Sequence, residues 1–170
     1  MYIAVSGTCY WCMEAVFRSL NGVSRVEQGF VKSSSGQHCE AVFCFVDVSS
    51  LSLKDFVGVH LATHASTSNH SGRAKYPSAI YPVSPNDEAL VTAALRKCEK
   101  AFDEPVITEI RPFVAFYPTK NTQQDYFWRQ PEKPFCQRTI FPKLQALALS
   151  HPHLLSVTAS EFIQGTLSAR

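Results

Sequence analysis

The sequence lacks the features that mark several classes of protein. It contains no run of basic residues and no long block of one charge, and its 16 Lys and Arg nearly balance its 14 Asp and Glu. Charge therefore gives no support for binding to nucleic acid or to an acidic membrane surface. The apolar runs are far shorter than the roughly 20 residues that a helix needs to cross a bilayer. We expect neither a nucleic-acid nor a membrane partner.

The N-terminus also lacks the positive region and apolar stretch of a secretory signal peptide. If the sequence is complete, we expect a cytoplasmic protein. Cysteines in that compartment are mostly reduced thiols rather than a disulfide framework. The six that this expectation concerns are Cys9, Cys12, Cys39, Cys44, Cys98 and Cys136.

The most informative stretch that is present runs from Cys9 to Cys12. An apolar run at residues 2–5 predicts a buried strand, and the next three residues break it. A helical pattern follows, in which the apolar residues Met13, Val16, Phe17 and Leu20 share one side. Cys9 is therefore expected at a helix N-terminus, where unpaired N–H groups and the helix dipole stabilise a thiolate. With a second thiol three residues later, this pattern favours redox or nucleophilic sulfur chemistry over two structural cysteines.

Strands and helices succeed one another without strict alternation along the remainder of the 170 residues. This predicts a single domain of the α+β class. Residues 61–76 have no periodicity and are predicted to form a polar loop with a functional role. The histidines of this region are interpreted as solvated: His60, His64 and His70.

Glu40 is the candidate acid. It stands at the start of a predicted strand, beside Ala41, Val42 and Phe43. Apolar neighbours would desolvate the carboxyl group, favour its neutral form and make it a proton donor. The competing interpretation from the sequence alone is an exposed glutamate at a strand end.

Two other uses of the cysteines stay open. Cys9, Cys12, His38 and Cys39 could form a zinc site, although the second pair lacks C-x-x-C spacing. Cys136 lies outside clear periodic structure, and a thiol on a loop can move to meet another sulfur. We therefore treat Cys136 as a candidate redox residue.

The residues around Cys9 resemble the signature of a known enzyme family. The stretch from Gly7 to Phe17 is similar to G-C-F-W-[CG]-x-E-x-x-F, which is typical of A-type peptide methionine sulfoxide reductases. Further resemblances follow in the family's order through residues 2–148: Gly29-Phe30, His38-Cys39-Glu40-Ala41-Val42, His60 with Thr63, Tyr76-Pro77-Ser78-Ala79-Ile80-Tyr81, Thr108-Glu109-Ile110, Phe116-Tyr117-Pro118, Gln124-Asp125-Tyr126 and Cys136-Gln137-Arg138-Thr139-Ile140-Phe141-Pro142-Lys143.

The resemblance implies a ferredoxin-like mixed sheet packed with helices over residues 1–148, with residues 149–170 as a partly helical extension. It implies thiol-dependent reduction of methionine S-sulfoxide, free or in proteins. In the family the nucleophile matches Cys9 and the proton donor matches Glu40. The pocket for the substrate methyl group matches Tyr10 and Trp11, and a tyrosine that binds the substrate oxygen matches Tyr76.

The same resemblance implies recycling through a disulfide, with thioredoxin or a similar dithiol as the external reductant and with no metal or organic cofactor. Because residues three apart on a helix are neighbours, Cys12 is the predicted resolving thiol. Cys136 is the alternative, acting directly or by exchange with Cys12.

The chain departs from the family pattern at several positions, of which the motif around Ser71 bears most on activity. The stretch G-N-D-x-G-T-Q-Y corresponds to Asn69-His70-Ser71-Gly72-Arg73-Ala74-Lys75-Tyr76, so Ser71 replaces an active-site Asp. Two further hypotheses therefore stay open. The chain could be a catalytically silent relative that binds oxidised methionine or a partner, or a dithiol oxidoreductase that uses Cys9 and Cys12.

Overall fold

A computed structural model describes residues 1–32, 34 and 36–168, and the features below refer to that part of the chain. It contains a six-stranded sheet in the order β5-β4-β1-β3-β2-β6. The strands are β1 (Tyr2–Ser6), β2 (Val23–Lys32), β3 (His38–Val46), β4 (Ala79–Pro82), β5 (Glu109–Ile110) and β6 (Ala115–Pro118). The turn predicted at Ser33–Gly36 lies partly outside the described residues.

The helices are α1 (Tyr10–Arg18), α2 (Leu53–Thr63), α3 (Glu88–Glu99), α4 (Tyr126–Arg129), α5 (Phe141–Ser150) and α6 (Val157–Ser168). The order β1-α1-β2-β3-α2-β4, with the antiparallel pairings β4-β1-β3-β2, is the ferredoxin-like arrangement. β5 pairs in parallel with β4, which makes the sheet mixed. The predicted α+β class and ferredoxin-like fold are confirmed.

Alternation along the strands divides the apolar residues between two cores. Val5 and Cys44 face the larger core, to which the helices contribute, whereas Ala4 and Cys39 face a smaller one on the other side of the sheet. Phe113 and two neighbouring aromatic rings pack against the smaller core. Cys39 and Cys44 therefore occupy opposite faces of β3 and have separate environments.

Two helix boundaries differ from the sequence prediction. α2 begins after Ser52, whose hydroxyl accepts a hydrogen bond from the Asp55 N–H, and it continues to Thr63. The first three residues of the predicted polar loop, 61–63, are therefore helical. The sequence pattern also predicts a helix over residues 121–129, but only Tyr126–Arg129 is helical.

The C-terminal segment packs on the main core. Leu155 forms a bridge with Leu20 at the end of α1, and the Ser156 N–H donates to the Ser19 carbonyl oxygen. On α6, Ile163 is fully buried and the Phe162 ring contacts Trp128. A domain boundary at residue 148 stays a prediction. Over the described ranges, no helix combines the length and apolar character needed to cross a bilayer.

Candidate active site

Cys9 lies at the junction between β1 and α1. Its φ and ψ of −49° and 130° are non-helical, and its carbonyl oxygen accepts from the Cys12 and Met13 N–H groups at 3.0 and 3.2 Å. It is the N-cap residue of α1, which leaves its half-buried thiol beside the free N–H groups of the first turn. This is the position that the sequence pattern predicts.

The two thiols of the C-x-x-C stretch have opposite protonation tendencies. A hydrogen bond from the Cys12 thiol, helped by backbone N–H groups, lowers the Cys9 pKa from 9.0 to about 7, and partial burial opposes this shift. The same bond and burial raise the pKa of Cys12 far above its ordinary value. At neutral pH a substantial fraction of Cys9 is therefore thiolate, and Cys12 is its protonated donor.

Aromatic rings line one side of Cys9. The Trp11 and Tyr126 rings stack with their centroids 4.1 Å apart and their planes 9° from parallel. Phe135 meets the Trp11 ring edge at 5.7 Å, and Tyr10 contacts Trp11 at 5.7 Å and Phe30 at 5.8 Å. We call Tyr10, Trp11, Tyr126 and Phe135 the aromatic side of the site. It offers an apolar surface suited to a methyl thioether.

Glu14 supports this aromatic side, a role that the sequence analysis missed. Its carboxylate is buried and accepts from the Asp125 and Tyr126 N–H groups at 2.6 and 3.1 Å. These bonds fix the start of α4, and thereby the ring that stacks on Trp11. Burial raises the pKa of Glu14, against the opposing effect of the two N–H donors. The sequence held one signal for this role: Glu14 stands among the apolar residues that the helix α1 buries.

Glu40 lies near Cys9, at the start of α1, and is only 6% exposed. Its Oε2 accepts from the Tyr10 N–H at 3.1 Å, and its Oε1 lies 2.9 Å from the Lys75 ammonium nitrogen. The carboxyl group is thus brought beside the first turn of α1, although Glu40 lies 30 positions after Tyr10 in the sequence. The interpretation of Glu40 as an exposed strand-end residue is wrong, because β3 carries it beneath Lys75 and against α1.

Lys75 completes this polar side, and the sequence analysis assigned it no role. Its Nζ lies 4.9 Å from the centroid of the half-buried Tyr76 ring. Hydrogen bonding to Tyr76 and Glu40 raises the pKa of Lys75 well above its usual range. The pKa of Tyr10 is raised by desolvation and then by the charges of Glu40 and Cys9. We call Glu40, Lys75 and Tyr76 the polar side of the site.

Ser71 belongs to the same segment but is exposed, in a 3-10 turn at Ser71–Ala74. Arg73 anchors this turn. Its guanidinium donates to the Gly7 and Tyr76 carbonyl oxygens at 3.1 and 3.0 Å, and also to the carbonyl oxygen of Ala65. The segment is therefore attached to the backbone that immediately precedes Cys9.

The histidines of α2 and its C-terminal end are not solvated, which corrects the sequence interpretation. His60 is fully buried with its Nε2 2.9 Å from the Ser6 oxygen, and the His64 Nε2 lies 2.7 Å from the Ser78 hydroxyl. Desolvation holds the pKa of His60 well below its usual value and lowers that of His64 to about 4. A Cβ at Gly7 would come within 2.6 Å of the His64 ring, so this contact requires glycine. Both histidines are therefore neutral, and they contact Ser6 and Gly7, which precede the nucleophile in the sequence.

Cys136 is not on a mobile loop. It is fully buried in a π-helical turn, Cys136–Ile140, that leads directly into α5. Burial raises its pKa. Cys136 and Cys12 belong to the same buried apolar cluster, and Tyr126 packs against that cluster. Pro142 occupies the first turn of α5, a position that favours proline.

The zinc arrangement considered from the sequence does not assemble. Cys12 faces the larger core, Cys39 faces the smaller core across the sheet, and His38 is exposed. Throughout the part of the chain that the structure describes, no three His, Cys, Asp or Glu side chains come together as a metal site would require.

The chain is similar to proteins of one family. A sequence model described as peptide methionine sulfoxide reductase matches residues 1–153. Peptide methionine sulfoxide reductase MsrA of Deinococcus radiodurans is 32% identical over 160 residues, which cover 84% of this chain and 78% of that protein.

Two solved structures share the fold. Methionine sulfoxide reductase A of Corynebacterium diphtheriae gives a TM-score of 0.64 at 22% identity, covering 76% of this chain and 74% of that one. Mxr1 from Saccharomyces cerevisiae, in complex with Trx2, gives a TM-score of 0.54 at 13% identity, and the match covers 71% of this chain and 81% of that one. Because the family match spans most of the chain and agrees with the C-x-x-C site, the chain belongs to the peptide methionine sulfoxide reductase family of enzymes.

Proposed function

We propose that this chain reduces the S-epimer of methionine sulfoxide, free or in proteins, with Cys9 as its nucleophile. The observation that carries the proposal is the Cys9 thiol at the start of α1, with a pKa of about 7, between an aromatic side and the buried Glu40 carboxyl group. A thiolate, an acid and an apolar wall are the three elements that sulfoxide reduction needs. Family membership supports the same activity.

In the first step the Cys9 thiolate attacks the sulfoxide sulfur. The S–O bond of the substrate breaks, its oxygen is transferred to Cys9 as a sulfenic acid, and one proton is added to that oxygen. Substrate sulfur is reduced by two electrons and Cys9 sulfur is oxidised by two. Glu40 delivers the proton, and a general acid of this kind typically contributes about 10²–10⁴-fold in rate.

The aromatic side binds the methyl group of the substrate. Trp11 and Tyr10 form the wall nearest to Cys9, and the stack on Tyr126 keeps the Trp11 ring in place. Tyr76, beside Lys75, is the proposed hydrogen-bond donor to the sulfoxide oxygen. Ser71 is proposed to act from the rim, through its segment, since it is exposed.

In the second step a thiol condenses with the sulfenic acid and releases water. Cys12 is the proposed resolving thiol, because its S–H already bonds to the Cys9 sulfur. Burial of Cys136 in a helical turn favours the exchange route, in which Cys136 attacks the Cys9–Cys12 disulfide at Cys12. An external dithiol such as thioredoxin then restores the thiols, and the complex of Mxr1 with Trx2 is a precedent within the fold.

The deciding experiment measures methionine formed from each sulfoxide epimer with dithiothreitol as reductant. We expect turnover of the S-epimer, none with Cys9→Ser, and unchanged circular dichroism in the variant. Equal turnover by the wild type and Cys9→Ser would overturn the nucleophile assignment. Absence of turnover by the wild type with either epimer would favour a silent binding module.

The resolving residue is tested by mass spectrometry after one equivalent of substrate is added without reductant. A Cys9–Cys12 crosslink is expected in the wild type. A Cys9–Cys136 crosslink in both the wild type and Cys12→Ser would transfer the role to Cys136. Reduction of a disulfide substrate with no effect on methionine sulfoxide would instead support a dithiol oxidoreductase.

A further inference from the structure

The ion pair between Glu40 and Lys75 bears on the source of the proton. The Glu40 side chain is 7% exposed and that of Lys75 is 62% exposed, with 2.9 Å between Oε1 and Nζ. The second carboxyl oxygen accepts the Tyr10 N–H. Both oxygens of Glu40 therefore have a donor, one of them charged, which is the environment of a carboxylate rather than of a neutral acid.

A carboxylate has no proton to give to a sulfoxide. The nearest proton belongs to the Lys75 ammonium, which bonds directly to the Glu40 oxygen. The exposed part of Lys75 contacts solvent, so the amine can regain a proton after each turnover. The Glu40 side chain is far less exposed to water than that of Lys75.

We propose that Lys75 stores the proton that Glu40 delivers to the substrate oxygen. This inference rests on the proposed function. As Cys9 attacks, one proton passes from Lys75 Nζ to Glu40 and from Glu40 to the oxygen that becomes the sulfenic acid. Lys75 is left as a neutral amine and takes a proton from solvent. The step conserves charge, because Cys9 changes from a thiolate to a neutral sulfenic acid while Lys75 changes from an ammonium to a neutral amine.

The groups that face Lys75 agree with this assignment. Glu40 reaches it from β3, Tyr76 from its own segment, and Tyr10 from the start of α1. Cys9 is influenced by the charge of Glu40. Lys75 also stands where the family motif quoted above has a neutral Gln. A Gln side chain cannot store a proton, whereas the Lys75 ammonium can.

The test compares Lys75→Met, Lys75→Gln and Lys75→Arg with the wild type. The measured quantity is the rate constant of the first step, taken from methionine release in a single turnover without reductant, between pH 5.5 and 8.5. It is divided by the thiolate fraction of Cys9, measured by alkylation of each variant. Lys97→Met is the control, since Lys97 is an exposed lysine on α3.

In the wild type the normalised rate should stay constant across this range, because the Lys75 ammonium keeps its proton. In Lys75→Met and Lys75→Gln, Glu40 must take its proton from solvent, where hydronium becomes scarcer as pH rises. Their normalised rates should fall as pH rises, to about 10²-fold below the wild type at pH 8.5. Lys75→Arg should give an intermediate rate, because a guanidinium keeps the charge but does not release a proton.

A loss of the same factor at every pH would assign Lys75 a merely structural role and overturn the proposal. Normalised rates of Lys75→Met within twofold of those of the wild type would also overturn the proposal. Failure of the proposed function looks different, because wild type and variants would then all release no methionine. Thermal melting of each variant separates loss of fold from loss of proton supply.

Discussion

The two sides of the site differ in how the chain assembles them. The thiols and Trp11 come from one turn of α1, and the contact between Cys9 and Cys12 follows from helical spacing alone. The polar side joins Glu40 of β3 to Lys75 of an irregular segment through one ion pair, 35 residues apart in sequence. The nucleophile is therefore set by local structure, whereas the proton donor depends on tertiary contacts that a single substitution can remove.

Glu40→Gln is the change with the largest expected effect on this comparison. It removes both the charge that holds Lys75 and the proton carrier, and should slow the first step about 10²–10⁴-fold. The measurement is single-turnover methionine release. Glu27→Gln, at an exposed position of β2, should leave the rate unchanged. An equal, small loss in both variants would remove Glu40 from the mechanism.

Cys12→Ala tests the part of the site that the local structure of α1 sets. Without the Cys12 thiol, the Cys9 pKa should rise from about 7 towards 9.0, because the largest influence that lowers it is gone. The thiolate forms as pH rises through the pKa, so at pH 6 alkylation of Cys9 should slow up to about 10²-fold, with little change near pH 10. Cys12→Ser keeps a donor and should shift less. A midpoint that stays near 7 in Cys12→Ala would show that backbone N–H groups suffice.

Tyr126→Leu removes the ring that stacks on Trp11 but keeps an apolar side chain. Stacked aromatic pairs are worth about 0.5–1.5 kcal/mol beyond burial, so KM should rise about 2- to 10-fold while kcat changes less. Tyr2→Leu breaks the stacked pair with Phe43, on a different part of the sheet, and is the matched control. If both variants raise KM alike, the effect is one of stability and not of substrate binding.

The sequence predicted the α1 side well and the polar side in part. Alternation and helical spacing place Cys9 and the strands, because they depend on local periodicity. The same reasoning made His60 and His64 solvated, since their burial depends on contacts with Ser6 and Ser78 on other elements. Cys136 was assigned to a loop because a π-helical turn has no helical period of 3.6 residues.

Lys75 shows most clearly what the sequence alone does not predict. Its sequence neighbours are polar, and nothing local predicts that its ammonium lies on Glu40. Glu40 itself has three apolar neighbours and a resemblance to an acid, and it is buried as the apolar context suggested. A residue whose role depends on one distant partner is identified only when the fold brings the two together.

Ser71→Asp has the smallest expected effect and probes the rim of the polar side. It restores the residue type that the family motif has at this position, but Ser71 is exposed, and exposed charges contribute little, about 0.2–1 kcal/mol. Turnover of the S-epimer should therefore rise by no more than about 5-fold. Ser68→Asp, at an exposed serine of the same segment, should have no effect. If Ser71→Asp lowers turnover, a carboxylate here competes with Glu40 for Lys75, and the segment has adapted to serine at this position.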